Sequence, residues 1–332
     1  MLKDKLQIIL ITYNREKCLN ETFKQIFAEN SPIKDFDITI LDNASTDGTS
    51  ELIEEYKLKF PNITHIRHNI NIGGNANIVR AFEIGASSDK EYVWVLCDDD
   101  KYDFSAWSEV ENAIENKKDI ICVANYAFPT EKDKTNPAYQ ISQLSFVPSG
   151  IYRTEHITSD VLMNMYDSIL TMFQQAVLSI SVINKGGSIY VLPKSIVLNG
   201  CCEAFSYTRG MKFNKTIEQK DKTDWTLGFF KVISLLENKT IQKDCVYSAI
   251  NFIGAKNFFR NLINRFKFEE FEYFYSIYKN LPIKIKLEFF VRLLVEFLSR
   301  IFILRNIYDK DGTKTKVLYL FWIKFILKTS KP

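Results

Sequence analysis

The chain has 332 residues, 46% of them apolar, enough for one large core or for two domains. Its six cysteines form no C-x-x-C pair and its three histidines, His65, His68 and His156, are scattered, which argues against a zinc site and, at this length, against a disulfide framework. The net charge of +3 conceals a division: residues 251–332 hold 16 Lys and Arg against 7 Asp and Glu, a net +9, while the other 250 hold 27 against 33, a net −6. An acidic catalytic part and a basic attachment part are the organisation this split suggests.

Leu6 to Thr12 predicts a short buried strand. Glu16 to Glu29 carries Leu19, Phe23, Ile26 and Phe27 at helical spacing. Asp37 to Leu41 is a second strand, followed by the turn-rich run Asp42-Asn43-Ala44-Ser45-Thr46-Asp47-Gly48-Thr49, in which Asp47 or Thr49 could cap a helix from Ser50 to Phe60. Ile63 to Arg67 is a third strand. The loop Asn69 to Ala76, with Gly73-Gly74, then opens a helix from Asn77 to Gly85. Tyr92 to Leu96 is a fourth strand and ends in Asp98-Asp99-Asp100.

Strand and helix alternating four times predict a mostly parallel sheet with helices on both faces. Right-handed crossovers bring the loops after all four strands to one sheet edge, where open α/β sheets bind ligands. Thr12–Arg15, Asp42–Asp47, Asn69–Asn75 and Asp98–Asp100 should therefore converge. Clustered carboxylates at such an edge suit a hard divalent cation, Mg²⁺ or Mn²⁺, holding a diphosphate, whereas taken alone they read as a solvated acidic turn.

Downstream, Ser105 to Asn116 predicts a helix, Ile120 to Ala124 a strand, and the polar segment Phe128 to Gln143 a loop over or beside the site. Val147 to Arg153 reads as a turn into a strand, Ser188 to Leu192 as a strand, and Ser159 to Tyr166 and Met172 to Asn184 as helices. Residues 1–245 form one expected domain. Residues 246–332 form a basic, aromatic-rich region expected to be helical, with a helix from Lys286 to Leu304 apolar on most of its circumference and an interfacial pattern over Val317 to Leu327. The apolar stretch at Ile8–Ile11 is too short for a secretory signal, and no window offers the roughly 18 uncharged apolar residues of a spanning helix. The expected location is the cytoplasm, with contact to the inner leaflet through the basic tail.

Thr12-Tyr13-Asn14-Arg15, Asp42 to Thr49, Asn71-x-Gly73-Gly74-Asn75-x-Asn77 and Asp98-x-Asp100, in this order, resemble family 2 glycosyltransferases with the GT-A fold, of the bacterial O-antigen, lipopolysaccharide and capsule type. The likeness covers residues 5 to about 125 and fades beyond 150. It implies a nucleotide-sugar donor, a metal ion (Mn²⁺ or Mg²⁺), and a glycan or lipid-linked glycan acceptor. It implies nucleotide contacts from Thr12, Tyr13, Arg15, Asp42, Gly74, Asn75, Asp98 and Asp99, and metal contacts from Asp98 and Asp100. Asp42 would accept from a pyrimidine N–H, the reading favoured with the other loops present, although the run Asp-Asn-x-Ser-x-Asp-Gly also permits a turn-capping aspartate.

The chain departs from this family where an acidic base is expected upstream of the Gly187 to Tyr190 strand: the matching place holds Gln174-Gln175, and an amide takes no proton at neutral pH. Asp167 and Glu203 are the nearest candidate bases, with Asp221 and Asp224 weaker. An inverting transferase is the first reading. A degenerate nucleotide- or glycan-binding protein of the same fold is the second, and a nucleotidyltransferase, which would need a glycine-rich loop after the first strand, is the third. The histidines are expected at the surface or in packing, and Trp94 in the core.

Overall fold

The computed structural model describes residues 2–124, 130–198, 228–253, 302–308, 313–320 and 323–330, with isolated positions between 279 and 294. Two compact units divide at residue 249.

The first unit opens with three consecutive β-α-β crossovers. They are β1 (Leu6–Thr12), α1 (Glu16–Ile26), β2 (Ile38–Asp42), α2 (Thr49–Lys59), β3 (Ile63–Arg67), α3 (Gly74–Ala86) and β4 (Tyr92–Cys97). β1 pairs in parallel with both β2 and β4, and β2 with β3. β1, β2 and β4 are buried almost throughout, as strands covered on both faces must be, and this is why they read as continuous apolar runs.

The chain continues through β5 (Lys101–Tyr102), α4 (Trp107–Glu115), β6 (Ile120–Cys122), α5 (Glu131–Lys134), α6 (Pro137–Leu144) and β7 (Gly150–Arg153). Then follow α7 (Ser159–Asp167), α8 (Gln174–Asn184), β8 (Ile189–Val191), β9 (Val197–Leu198) and α9 (Lys239–Ile253). The seven-stranded sheet runs β3-β2-β1-β4-β7-β6-β8, with β7 antiparallel to both neighbours, and β5 and β9 form a separate small pair. This is the mostly parallel, helix-flanked sheet expected from the sequence. β1 and β4 sit side by side although the chain travels out to β3 between them. Their C-terminal ends therefore flank a switch point, where a crevice opens.

The core on one face joins Ile8 and Leu10 of β1, Trp94 and Leu96 of β4, Leu19, Phe23 and Ile26 of α1, and Trp107 and Val110 of α4. Each fully buried large side chain contributes about 1.5–3 kcal/mol. Trp94 stacks on Trp107 at 6.2 Å and donates Nε1–H to the Pro148 carbonyl, so its one polar group is satisfied in the interior.

Two expectations are corrected. The described part of the polar segment 128–143, expected as a loop, contains α5 and α6. Thr130 and Asp133 form a capping box, and Asn136 caps a helix whose first residue is Pro137. The second unit is not helical throughout. Ile283, Lys286, Leu287, Phe290, Val291 and Leu294 are helical, but Phe302–Tyr308 (β10), Lys314–Leu320 (β11) and Ile323–Ser330 (β12) form an antiparallel sheet, so strand replaces helix at Phe302–Leu304 and across most of Val317–Leu327. These runs are rich in aromatic and β-branched residues, and an Asp311-Gly312 pair lies in the connecting sequence, signals that outweigh the helical charge spacing. Leu287, Phe290, Val291 and Leu294 of the helical stretch are exposed. Among the described residues no helix is long and apolar enough to cross a membrane.

Candidate active site

The loops after β1, β2, β3 and β4 are tied directly to one another. Thr12 of β1 is in register with Asp42 of β2, and its hydroxyl donates to Asp98 Oδ2 at 2.7 Å. Asn14 N–H donates to Ser45 Oγ at 2.9 Å, and Thr46 N–H to Asn14 Oδ1 at 2.7 Å. Asn43 donates to Asn71 Oδ1 and accepts from Ile72 N–H, both at 2.9 Å, joining the second loop to the third. Asn14 and Ala44 hold left-handed backbone, φ 51° and 64°, a conformation that costs non-glycine residues free energy and is maintained here by these bonds.

Arg15 bridges the first loop to the fourth. Its NH1 lies 3.1 Å from Asp98 Oδ1 and 2.5 Å from Asp99 Oδ2. Burial works to lower the Arg15 pKa, but the two carboxylates outweigh it and hold the guanidinium charged. Helix α1 grips the acidic turn from below. Thr22 Oγ1 donates to the Asp98 carbonyl at 2.9 Å, and Gln25 Oε1 accepts from Tyr102 N–H at 3.0 Å. Neither contact is legible in the sequence, because both residues lie more than seventy positions from their partners.

Three carboxylates with one guanidinium leave negative charge uncompensated. Burial, opposed by Arg15, pushes Asp98 up to about 7. Burial, followed by repulsion from Asp99 and Asp98, pushes Asp100 up to about 8. Asp100 is 5% exposed, and among the described residues its Oδ2 has no hydrogen-bond partner. A buried carboxylate oxygen without a donor is costly, and a cation is the partner it fits. Ligand atoms from Cys97, Asp99 and Asp100 lie within 4.8 Å of one another. The donor chemistry of this corner therefore suits a divalent cation. Asp98, expected among the ligands, is instead fastened through both oxygens to Thr12 and Arg15.

Asp42 is fully buried, accepting from Ser45 N–H at 2.8 Å through Oδ1 and from Ser50 Oγ at 2.7 Å through Oδ2. Arg67 Nε stands 3.4 Å from Oδ2, and His65 Nε2 stands 3.7 Å from it, beyond hydrogen-bond length. Burial would raise the Asp42 pKa, but His65, Ser45 and Ser50 outweigh it and keep the group well below the usual carboxylate range. In this structure Asp42 is the fastener of the second loop. His65 and Arg67 were missed as supports; the period-two alternation of β3 puts them on one face, beside the partners Ile40 and Asp42. All three histidines contact polar partners rather than standing alone: His65 Glu54 at 2.8 Å, His68 Asn77 at 2.9 Å and His156 Asp119 at 2.7 Å.

Tyr13 is exposed beside this loop web. Gly73, at φ 88°, turns the third loop into α3, and a Cβ on Gly74 would meet nothing within 4 Å, so the backbone there faces open space. Asn75 lies in the first turn of α3 and donates to the Ile169 carbonyl at 2.5 Å, which ties the segment after α7 to the third loop. Asp167 is exposed at the end of α7, two residues before Ile169. Gln174 is fully buried, with neither amide atom partnered among the described residues, while Gln175 donates to the Ser145 carbonyl. Glu203, Asp221, Asp224, Cys201 and Cys202 lie outside the described residues.

Comparison with known proteins gives the geometry its family. The profile described as "Glycosyl transferase family 2" matches residues 7–180, a little over half of the chain. The abequosyltransferase RfbV of Salmonella typhimurium is 30% identical over 111 residues, 33% of this chain and 32% of that one. The matched stretches span between 11% and 36% of the length of three such curated relatives. Among solved structures, S. aureus TarS 1–349 in complex with UDP superposes with a TM-score of 0.57 at 16% identity, covering 94% of this chain and 96% of that one. A mannosyltransferase from Pyrobaculum calidifontis, in complex with GDP-Man and Mn²⁺, gives a TM-score of 0.51 at 11% identity, covering 89% and 87%. At these identities the superpositions establish the fold, and the profile match establishes that the chain belongs to glycosyl transferase family 2.

Proposed function

We propose that the chain transfers a sugar from a nucleoside-diphosphate sugar to a hydroxyl of a surface glycan, at the rim where β1 and β4 end. The observation that carries this reading is the buried, partnerless Asp100 oxygen at the switch point of a family 2 fold. RfbV is named as an abequosyltransferase and the TarS structure holds UDP, which supports a glycan acceptor and a nucleotide-bound donor.

Asp100 and Asp99 would hold a divalent cation, Mn²⁺ or Mg²⁺; when bound, it offsets negative charge on the departing nucleoside diphosphate. Asp98 stays fastened to Thr12 and Arg15 and sets the angle of the acidic turn toward the ribose side. Tyr13 offers an aromatic face for the nucleobase, Asp42 holds the floor of that site through the second loop, and Gly74 and Asn75 leave the backbone of the third loop open to the nucleotide. Direct displacement with inversion needs a base for the acceptor hydroxyl, a role assigned to Asp167 or Glu203. The basic second unit, with its exposed Leu287, Phe290, Val291 and Leu294, is assigned to an anionic inner-leaflet surface bearing a lipid-linked acceptor, which would place the protein at the cytoplasmic face.

A second reading rests on Gln174. Its sealed amide, where an acid was expected, favours a protein that holds nucleotide without turnover. Thermal melting against a panel of nucleoside diphosphates, with and without Mn²⁺, tests the first reading. One nucleotide should raise the melting midpoint in a Mn²⁺-dependent way, and Asp100→Asn should abolish the Mn²⁺ dependence. No shift with any nucleotide, or a full Mn²⁺ effect in the variant, overturns the site. Release of nucleoside diphosphate from the matching sugar nucleotide separates enzyme from binding protein.

A further inference from the structure

Five of the six cysteines differ from the sixth in setting or lie outside the described residues. Cys18, Cys122 and Cys245 are buried in the interior, and Cys122 donates Sγ–H to the Ala124 carbonyl. Cys97 instead closes β4 at the ligand-binding rim, half-buried, directly before the acidic turn. Its Sγ lies within 4.8 Å of carboxylate oxygens of both Asp99 and Asp100. Ligand atoms sharing one tetrahedral cation, with bonds of about 2.0–2.3 Å, stand about 3.3–3.8 Å apart, so this trio closes on an ion with side-chain movement of no more than about 1.5 Å.

A cysteine beside acids is not a site by itself. The independent observation is Asp100, which is 5% exposed and whose Oδ2, in the same corner, has no hydrogen-bond partner among the described residues. The Asp98 carboxylate is engaged through both oxygens by Thr12 and Arg15, while the Arg15 contact to Asp99 runs through Oδ2, so Asp99 and Asp100 present the carboxylate oxygens and Cys97 supplies the third donor atom. Sulfur changes what the corner selects, because thiolate is a soft ligand that favours zinc-like cations over Mg²⁺ or Mn²⁺.

We infer that Cys97 completes a cation site with Asp99 and Asp100, and that thiophilic divalent cations of the zinc and cadmium type bind there through sulfur and compete with the harder ion. The inference rests on the cation reading of the acidic turn given above. On binding, the Cys97 S–H proton leaves to solvent, the sulfur lone pair forms the bond to the metal, and no electron is transferred.

The test is a Cd²⁺ titration of the full chain, following the sulfur-to-cadmium charge-transfer absorption, beside Mn²⁺ binding read from the paramagnetic resonance of the free ion. Wild type should develop the band, and excess Mn²⁺ should bleach it. Cys97→Ser should lose the band and bind Cd²⁺ at least about tenfold more weakly, since loss of even an outer-shell partner typically costs 10–100-fold. Its Mn²⁺ affinity should change far less. Asp100→Asn should lose both.

An unchanged band and Cd²⁺ affinity in Cys97→Ser, with Mn²⁺ still bound by wild type, overturns the sulfur ligand and leaves the cation reading standing. Failure of wild type to bind Mn²⁺ at all overturns the cation reading itself. Should Cys97→Ser misfold by circular dichroism, peptide mapping of alkylated wild type decides. Protection of Cys97 by Zn²⁺ supports the inference, and equal labelling with and without Zn²⁺ overturns it.

Discussion

Asp42 and His65 set opposite limits on one contribution to stability. Asp42 titrates below its unfolded value of about 3.9, so its contribution is fully present above that pH and is lost as pH falls toward the depressed folded value. His65 titrates above its unfolded value of about 6.5, raised first by Asp42 against the opposing effect of burial, then by Glu54. Its contribution is fully present below pH 6.5 and is lost as pH rises through the raised value. The pair should therefore stabilise most between about pH 4 and 6.5. Urea midpoints across pH check this. His65→Gln should flatten the alkaline limb, and Asp42→Asn should flatten both limbs while costing about 1.5–3 kcal/mol, the range for hydrogen bonds to a charged group. An alkaline limb that persists in His65→Gln would assign that limb elsewhere.

At the scale of elements, the site depends on how closely α3 lies on the sheet. A Cβ on Gly85 would fall 2.5 Å from Val93 Cγ2 of β4, so only glycine permits the observed approach, whereas a Cβ on Gly74 at the other end of the helix meets nothing. Gly85→Ala should overpack the interface, cost about 1–3 kcal/mol and lower the melting midpoint by a few degrees. Gly74→Ala should leave the midpoint of the ligand-free protein unchanged and weaken only the nucleotide-induced shift. Equal losses in ligand-free stability would mean that Gly74 serves packing rather than ligand approach.

The same scale explains what could be read in advance. β1, β2 and β4 were legible to within a residue because burial on both faces writes an uninterrupted apolar run, β3 by its short β-branched run, and the crossover rule then gathers their loops without further information. The acidic turn was legible for the same reason. Its clamp by Thr22 and Gln25 and the support of Asp42 by His65 and Arg67 were not, because they depend on side-chain direction across distant segments, and the closeness of Cys97 to Asp99 and Asp100 was not, because it depends on how the turn folds its side chains together. α5 and α6 were missed although Thr130, Asp133, Asn136 and Pro137 spell their caps, since a polar surface lets capping outweigh apolar periodicity as the signal. The second unit was misjudged because charges at i, i+4 fit a helix, whereas β-propensity and short connections decided for strands at Phe302–Ser330.

For the whole molecule, the seven-stranded sheet and all four site loops lie within residues 1–249, while the positive charge is concentrated after residue 250. Donor recognition and surface attachment should then be separable by truncation after Ile253, which keeps α9 whole. The 1–253 fragment should fold cooperatively, because its sheet is complete and its core continuous. It should also retain the Mn²⁺-dependent nucleotide shift. The full chain should co-sediment with vesicles containing anionic lipid and not with neutral ones, and added salt should weaken the interaction, since attraction between exposed charges is screened beyond about 8 Å at physiological ionic strength. The fragment should stay in the supernatant in every case. Sedimentation of the fragment equal to that of the full chain would move the attachment surface into the first unit. Loss of the nucleotide shift on truncation, in a fragment that still melts cooperatively, would mean that the basic unit contributes to donor binding as well as to attachment.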